Sequence, residues 1–136
     1  ILGLNEKDKI ISQVAGALMK ENLVKEKSYR FALSVVELCK NLVNANEYVL
    51  SRQLLKSGTS IGANIEEALA GQSRADFLSK MSIASKEARE THYWLRLLRD
   101  SHLASSDHIA PLLVESESLI NLLSAIVKTT SASKNA

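Results

Sequence analysis

Glycine and proline are scarce in this 136-residue chain, with five Gly and one Pro. A β-rich domain of this size needs many tight turns, and those draw on Gly, Pro and Asn. Sheet architectures are excluded on that ground. Aromatic residues make up only 4%, so platforms on which bases could stack are few. The one cysteine, Cys39, cannot form an internal disulfide and fits a reducing cytoplasm, which is the expected location. Neither sign of charge dominates. Seventeen Lys and Arg against fifteen Asp and Glu leave +2, a weaker footprint than a dedicated nucleic-acid binder carries. No apolar run approaches the roughly 18–20 residues of a membrane span. No signal-peptide pattern opens the chain, and no membrane partner is expected.

What remains is an ordinary globular composition, 46% hydrophobic and 24% charged. A chain this long buries roughly two-thirds of its unfolded surface and needs no metal or disulfide to hold a core. Leu, Ala, Lys, Glu and Ser abound, and all suit long helices with few connections.

Apolar residues recur every three to four positions along nearly the whole chain. Residues 8–20 carry Ile10, Ile11, Val14, Leu18 and Met19 at helical spacing, around Gly16. Asn22 and the cluster Lys25-Glu26-Lys27 read as a connector. Residues 28–44 repeat the stripe with Phe31, Val35, Leu38, Cys39 and Leu42. Asn44-Ala45-Asn46 breaks it, with Asn46 placed to cap the next helix.

In residues 47–70 one side is formed by Leu50, Leu54, Gly58, Ile61, Ile65 and Ala68. Two glycines inside this helix, Gly58 and Gly62, cost about 1 kcal/mol each relative to Ala. Close approach of a neighbouring helix, or a kink, is the expected compensation. Gly71 suits a left-handed helix end, and Ser73 with Asp76 resembles a capping box. The run 74–101 follows, with Phe77, Ala84, Thr91, Trp94, Leu95 and Leu98 on its inner face. The last helix, 107–129, has an apolar stripe from Ile109 to Val127 and Pro111 near its start, where a missing N–H does least harm.

The expected fold is therefore all-α: an antiparallel up-down four-helix bundle with a short extra N-terminal helix. Residues 1–20 are read as an N-terminal helical extension, 21–130 as the bundle and 131–136 as a frayed tail. Met19-Lys20-Glu21-Asn22 resembles a natural start, which also sets residues 1–18 apart from the core domain.

Motifs for chemistry are sparse. A di-iron bundle needs Glu-x-x-His twice. Here His92, His102 and His108 are preceded at that spacing by Arg89, Arg99 and Ser105, so no metal or other cofactor is expected. Residues 58–62 (Gly-Thr-Ser-Ile-Gly) lack the Lys-Ser/Thr of a phosphate loop. Cys39 lies on an apolar stripe, where a small buried hydrophobe is the reading. Among Glu66, Glu67, Glu87 and Glu90, Glu87 falls on the inner face beside Ile83, Trp94 and Leu98, where a carboxylate must pair, hydrogen-bond or stay protonated.

Two polar patterns stand out. Lys86, Arg89, His92, Arg96 and Arg99 share an arc of about 140° on one helix, with Tyr93 among them, Asp100 interrupting and Glu90 at the border. They are candidates for phosphate contact, against a solvated face or a row of intersubunit salt bridges. Ser60, Asn64 and Glu67 form a polar stripe at i, i+4 and i+7, suited to setting helix register inside the bundle or across a subunit contact.

Residues 54–68, Ser73-Arg74-Ala75-Asp76-Phe77, Ile83-Ala84, Glu90 and Tyr93-Trp94-Leu95 together resemble the four-helix bundle family encoded in 23S ribosomal RNA intervening sequences. The motif from Lys56 to Glu67 carries most of the likeness, and Ala68 stands where the family usually has Gly. The resemblance spans about residues 19–130. It implies an antiparallel bundle, a ring-shaped homopentamer and no enzymatic activity, with Ser60, Asn64 and Glu67 as structural or assembly residues. A related branch, the accessory proteins of diversity-generating retroelements, implies binding of nucleic acid and a reverse transcriptase.

The expected function is a non-enzymatic oligomeric scaffold or adaptor. The alternative is a module binding RNA or DNA through Lys86, Arg89, Arg96 and Arg99.

Overall fold

A computed structural model describes residues 3–135, with side chains described through Ala132. Four helices account for nearly all of it: α1 (Glu6–Asn44), α2 (Val49–Ala70), α3 (Arg74–Asp100) and α4 (Ser106–Asn135). Each packs on the next, and α4 closes the ring onto α1. Among the described residues no contact runs across either diagonal, which is the plan of a square bundle.

The pairings are all antiparallel. On α1 and α2, Val35 meets Gly58 and Ser28 meets Gly62. On α2 and α3, Ser57 meets Thr91 and Glu67 meets Lys80. On α3 and α4, Arg89 meets Ser124 and His92 meets Glu117. In each pair one number rises as the other falls.

The expected break between an N-terminal helix and the bundle does not exist. Residues 8–20 and 28–44 belong to one 39-residue helix. The Lys-Glu-Lys cluster read as a connector consists of good helix formers. Glu26 pairs with Arg30 one turn on, at 2.7 Å. Val24 and Ser28, both fully buried, carry the inward seam across it to Phe31, Val35 and Leu38. The tail expected to fray from 131 continues α4 as far as Asn135. Residues 1, 2 and 136 lie outside the described residues.

Both turns at one end of the bundle close with the same device. Asn46 and His102 have left-handed φ of 63° and 59°. Behind Asn46, the Glu47 N–H donates to the Leu42 carbonyl at 2.8 Å and the Asn46 N–H to Val43 at 2.9 Å. Behind His102, the Leu103 N–H donates to Leu98 and the His102 N–H to Arg99, each at 3.2 Å. These are Schellman closures. Asn46 thus ends α1 and does not cap α2. The side chain of Glu47 takes the N-terminal role and accepts from the Leu50 N–H at 3.0 Å.

At the opposite end Gly71 is extended (φ −67°), not left-handed. A Cβ there would displace the Asp76 carboxylate and lie 3.2 Å from the Ala68 carbonyl. Ser73 caps α3 as expected, its Oγ accepting from the Asp76 N–H at 3.0 Å.

The core is Leu, Ile and Val from all four helices, including Val35, Leu54, Ile61, Ile65, Leu95, Leu98, Leu119 and Leu123. By length and composition, Ser106–Ala132 of α4 could also cross a membrane, against the expectation that no run was apolar enough. Its apolarity has a local use, because Ile109, Leu112, Leu119, Leu123 and Ile126 are buried in the bundle.

The glycine pair is explained by close approach. A Cβ on Gly58 would sit 2.8 and 2.9 Å from the two methyl carbons of the fully buried Val35. A Cβ on Gly62 would sit 3.2 Å from the Ser28 hydroxyl. Gly58→Ala should therefore destabilise the fold by about 1–3 kcal/mol, overpacking outweighing the roughly 1 kcal/mol gained in helix propensity. Val35→Ala destabilises by itself, but combined with Gly58→Ala the loss should be less than the sum of the two, a favourable coupling in a double-mutant cycle read by denaturant unfolding.

Candidate nucleic-acid interface

The basic arc lies on the outer side of α3, toward α4. The five side chains do not form one set. Arg99 is held by its neighbour Asp100, with Nε and Nη2 at 2.7 and 3.3 Å from the two carboxylate oxygens. That hydrogen bond also holds the Asp100 carboxyl below its ordinary pKa. His92 turns toward α4, with Nε2 3.3 Å from Glu117. Arg89 also reaches α4, but its Nη2 donates to the uncharged Ser124 hydroxyl at 3.2 Å.

Among the described residues, Lys86, Arg89 and Arg96 form no ion pair. They span about 15 Å of helix, on the scale of a few phosphate spacings. The Arg96 guanidinium lies 5.8 Å from the Tyr93 ring centroid, and Tyr93 meets Trp94 edge-on at 5.0 Å. Trp94 is fixed in turn by donation from Nε1 to Glu90 at 3.2 Å. The exposed cluster is thus three free cations and one half-exposed tyrosine. Arg99 is placed beside it but is neutralised.

The polar stripe of α2 lies on the flank facing α3. Ser60 Oγ donates to the Lys56 carbonyl at 2.7 Å, and Asn64 Nδ2 to the Ser60 carbonyl at 2.8 Å. Both bonds stay within α2. Glu67 alone of the three reaches another helix, pairing with Lys80 of α3 at 3.1 Å.

The polar contact buried between α2 and α3 is a different one. The hydroxyl oxygens of Ser57 and Thr91 lie 2.9 Å apart, and both residues are fully buried. Thr91 also bonds the Glu87 carbonyl at 2.8 Å. The signal for this pair was a hydroxyl residue on each of two apolar stripes, a choice that needs a partner once buried.

The four glutamates do not converge. Glu66 lies toward α1, near Tyr29 and Arg30, while Glu67 lies toward α3. Glu90 is taken by Trp94. Glu87 is half-buried, and of its expected apolar neighbours only Leu98 is fully buried; Ile83 is exposed and Trp94 intermediate. Desolvation, and next the nearby Glu90, push the Glu87 carboxyl above its ordinary range, with Lys86 and Lys56 opposing.

Cys39 is buried and donates to the Ser51 carbonyl at 3.4 Å. Burial pushes its thiol pKa up, the opposite of an activated nucleophile. Among the described residues no three His, Cys, Asp or Glu side chains stand close enough to hold a metal ion.

The Glu87 environment gives a signed pH prediction. A carboxyl with a raised folded pKa favours folding while protonated and loses that contribution as pH rises through its folded value. Glu87→Gln should raise the melting temperature at pH 7 by about 1–2 °C and leave it unchanged near pH 3, where both chains carry a neutral group. A melting-temperature series from pH 3 to 8 checks this.

The sequence profile of the 23S rRNA-intervening sequence proteins matches residues 20–125. A solved structure with 49% sequence identity superposes at a TM-score of 0.77, covering 80% of this chain and 98% of its own. It is a protein of unknown function from the S23 ribosomal protein family of Bacteroides thetaiotaomicron VPI-5482. No curated protein matches significantly. With four helices in the expected order and the profile spanning the bundle, this chain belongs to the 23S rRNA-intervening sequence protein family.

Proposed function

We propose that this chain acts without catalysis, as a bundle that assembles with its own copies and serves as a scaffold. The observation that carries this reading is an uncovered apolar face on the outer side of α1 and α2. Tyr29, Leu33 and Val43 of α1, Tyr48 just before α2 and Leu55 within it are all exposed. Val36, Val43 and Leu55 line a shallow cleft between the two helices, with Lys40 and Asn44 at its edge. Apolar residues clustered on one side of a small domain mark an interaction surface. The resemblance to a family of ring-shaped pentamers supports a second copy as the occupant.

Native mass spectrometry of the full chain tests the idea. Val43→Asp with Leu55→Asp should reduce the assembly to smaller species, because each places a charge in a desolvated contact. An unchanged copy number in that variant refutes the reading.

A second reading, nucleic-acid binding, is favoured by the three cations of α3 that have no carboxylate partner among the described residues. An assembly would repeat that patch and raise the local field. Filter binding to structured RNA across a salt series measures it. Arg89→Ala with Arg96→Ala should flatten the salt dependence by roughly two phosphate contacts per copy engaged, while Arg99→Ala should have little effect. No binding at low salt, or binding indifferent to Arg89 and Arg96, removes it.

A further inference from the structure

The N-terminal third of α1 carries a face that no described residue of the bundle covers. Residues 6–19 precede the family match, which begins at residue 20. Gly62 packs on Ser28, and α2 runs only two turns further, to Ala70. The helix beside α1 therefore stops near residue 20, and α1 continues for about 20 Å without it. Ile10 lies five turns below Ser28 and on the same face. The stripe Ile10, Ile11, Val14 and Leu18 is thus the continuation of the face that α2 buries higher up. Each of these side chains is 54–57% exposed. The other flank of the arm leans toward the end of α4, where Gln13, Gly16 and Ala17 border a cleft with Ile126 and Thr129.

We propose that a second copy of this chain fills the missing place: the arms of two molecules pair antiparallel about a two-fold axis close to Val14. The sequence is self-complementary in that orientation. Ile10 meets Leu18 of the second copy, Leu18 meets its Ile10, and the two Val14 side chains sit at the centre. Lys7 of each copy then reaches the bundle end of the other, where half-buried Glu21 borders the cleft with Phe77 and Thr129, giving two opposite-charge pairs. A parallel pairing would set Lys7 against Lys7 and Glu21 against Glu21, a like-charge arrangement that selects against it.

A lipid surface is the poorer match. Interfacial helices carry Lys and Arg on the polar face, whereas Glu6 and Asp8 here offset Lys7 and Lys9. The arm pairing is separate from the α1–α2 face proposed above: one joins bundles side to side, the other joins them end to end through the arms.

Because the stripe is solvent-exposed, substitutions in it leave the bundle core intact, which circular dichroism verifies. In native mass spectrometry of the full chain, Val14→Asp should halve the number of copies per particle, and Ser12→Asp on the opposite face of the arm should leave it unchanged. Lys7→Glu alone and Glu21→Lys alone should each weaken the pairing, and the double reversal should restore it. Under mild oxidation Val14→Cys should cross-link into covalent pairs, with Ser12→Cys remaining single and the buried Cys39 inert. The proposal is overturned if Val14→Asp keeps the wild-type copy number, if the double reversal fails to restore what either single change loses, or if the two cysteine variants cross-link alike. Sedimentation with anionic vesicles that Val14→Asp abolishes, with copy number unaltered, would assign the stripe to lipid and overturn it too.

Discussion

The close crossing of α1 and α2 governs the rest of the bundle. Gly58 lets the methyls of Val35 come to within 3 Å of where a Cβ would stand, and Gly62 admits the backbone turn at Ser28. Interior glycines weaken a helix, so the arrangement survives because the apolar seams of both helices interlock at this short separation. With α1 and α2 set, Ser57 is aimed at Thr91, and α3 takes its register from a hydroxyl pair sealed in the core. Helix α4 then closes the square through apolar packing, with Arg89–Ser124 and His92–Glu117 at its margin.

That architecture sorts the charged residues by what lies beside them. Along the basic arc of α3, positions facing α4 meet acceptors: His92 meets Glu117 and Arg89 meets Ser124. Arg99 is claimed by the next residue in sequence. Lys86 and Arg96 point away from the bundle. A row of like charges on a helical wheel therefore becomes a smaller patch of three cations, Lys86, Arg89 and Arg96, without an ion pair among the described residues. The same sorting separates the glutamates of α2 and α3, which face different neighbours and share no site.

The unused apolar surface has two parts with different origins. The outer face of α1 and α2 lies on the bundle itself, within the region shared with the family. The stripe from Ile10 to Leu18 lies below the point where α2 turns back, on helix that the family profile leaves out. The first is the surface proposed to join bundles side to side, and the second the one proposed to join them through the arms. They are separate because one is framed by two helices and the other by α1 alone, so covering one leaves the other exposed.

Periodicity alone determined the all-α class, the inward faces and the antiparallel order, since a three-to-four spacing of apolar residues with short polar gaps admits few other packings. The capping of α3 by Ser73 was legible because it depends on residues three apart. Other features depended on contacts distant in sequence. The continuity of α1 through Lys25-Glu26-Lys27 was hidden because a charged cluster looks alike on a helix and in a loop, and burial of Val24 and Ser28 decided it. Asn46 ends a helix where it was expected to begin one, because its own N–H closes onto Val43 and that of Glu47 onto Leu42. The choice of Ser57–Thr91 as the buried polar link, and the exposure of Ile10, Val14 and Leu18, required knowing where α3 lies and where α2 stops. A helix records which of its faces is apolar, but the identity of the neighbour that covers that face is a property of the assembled fold.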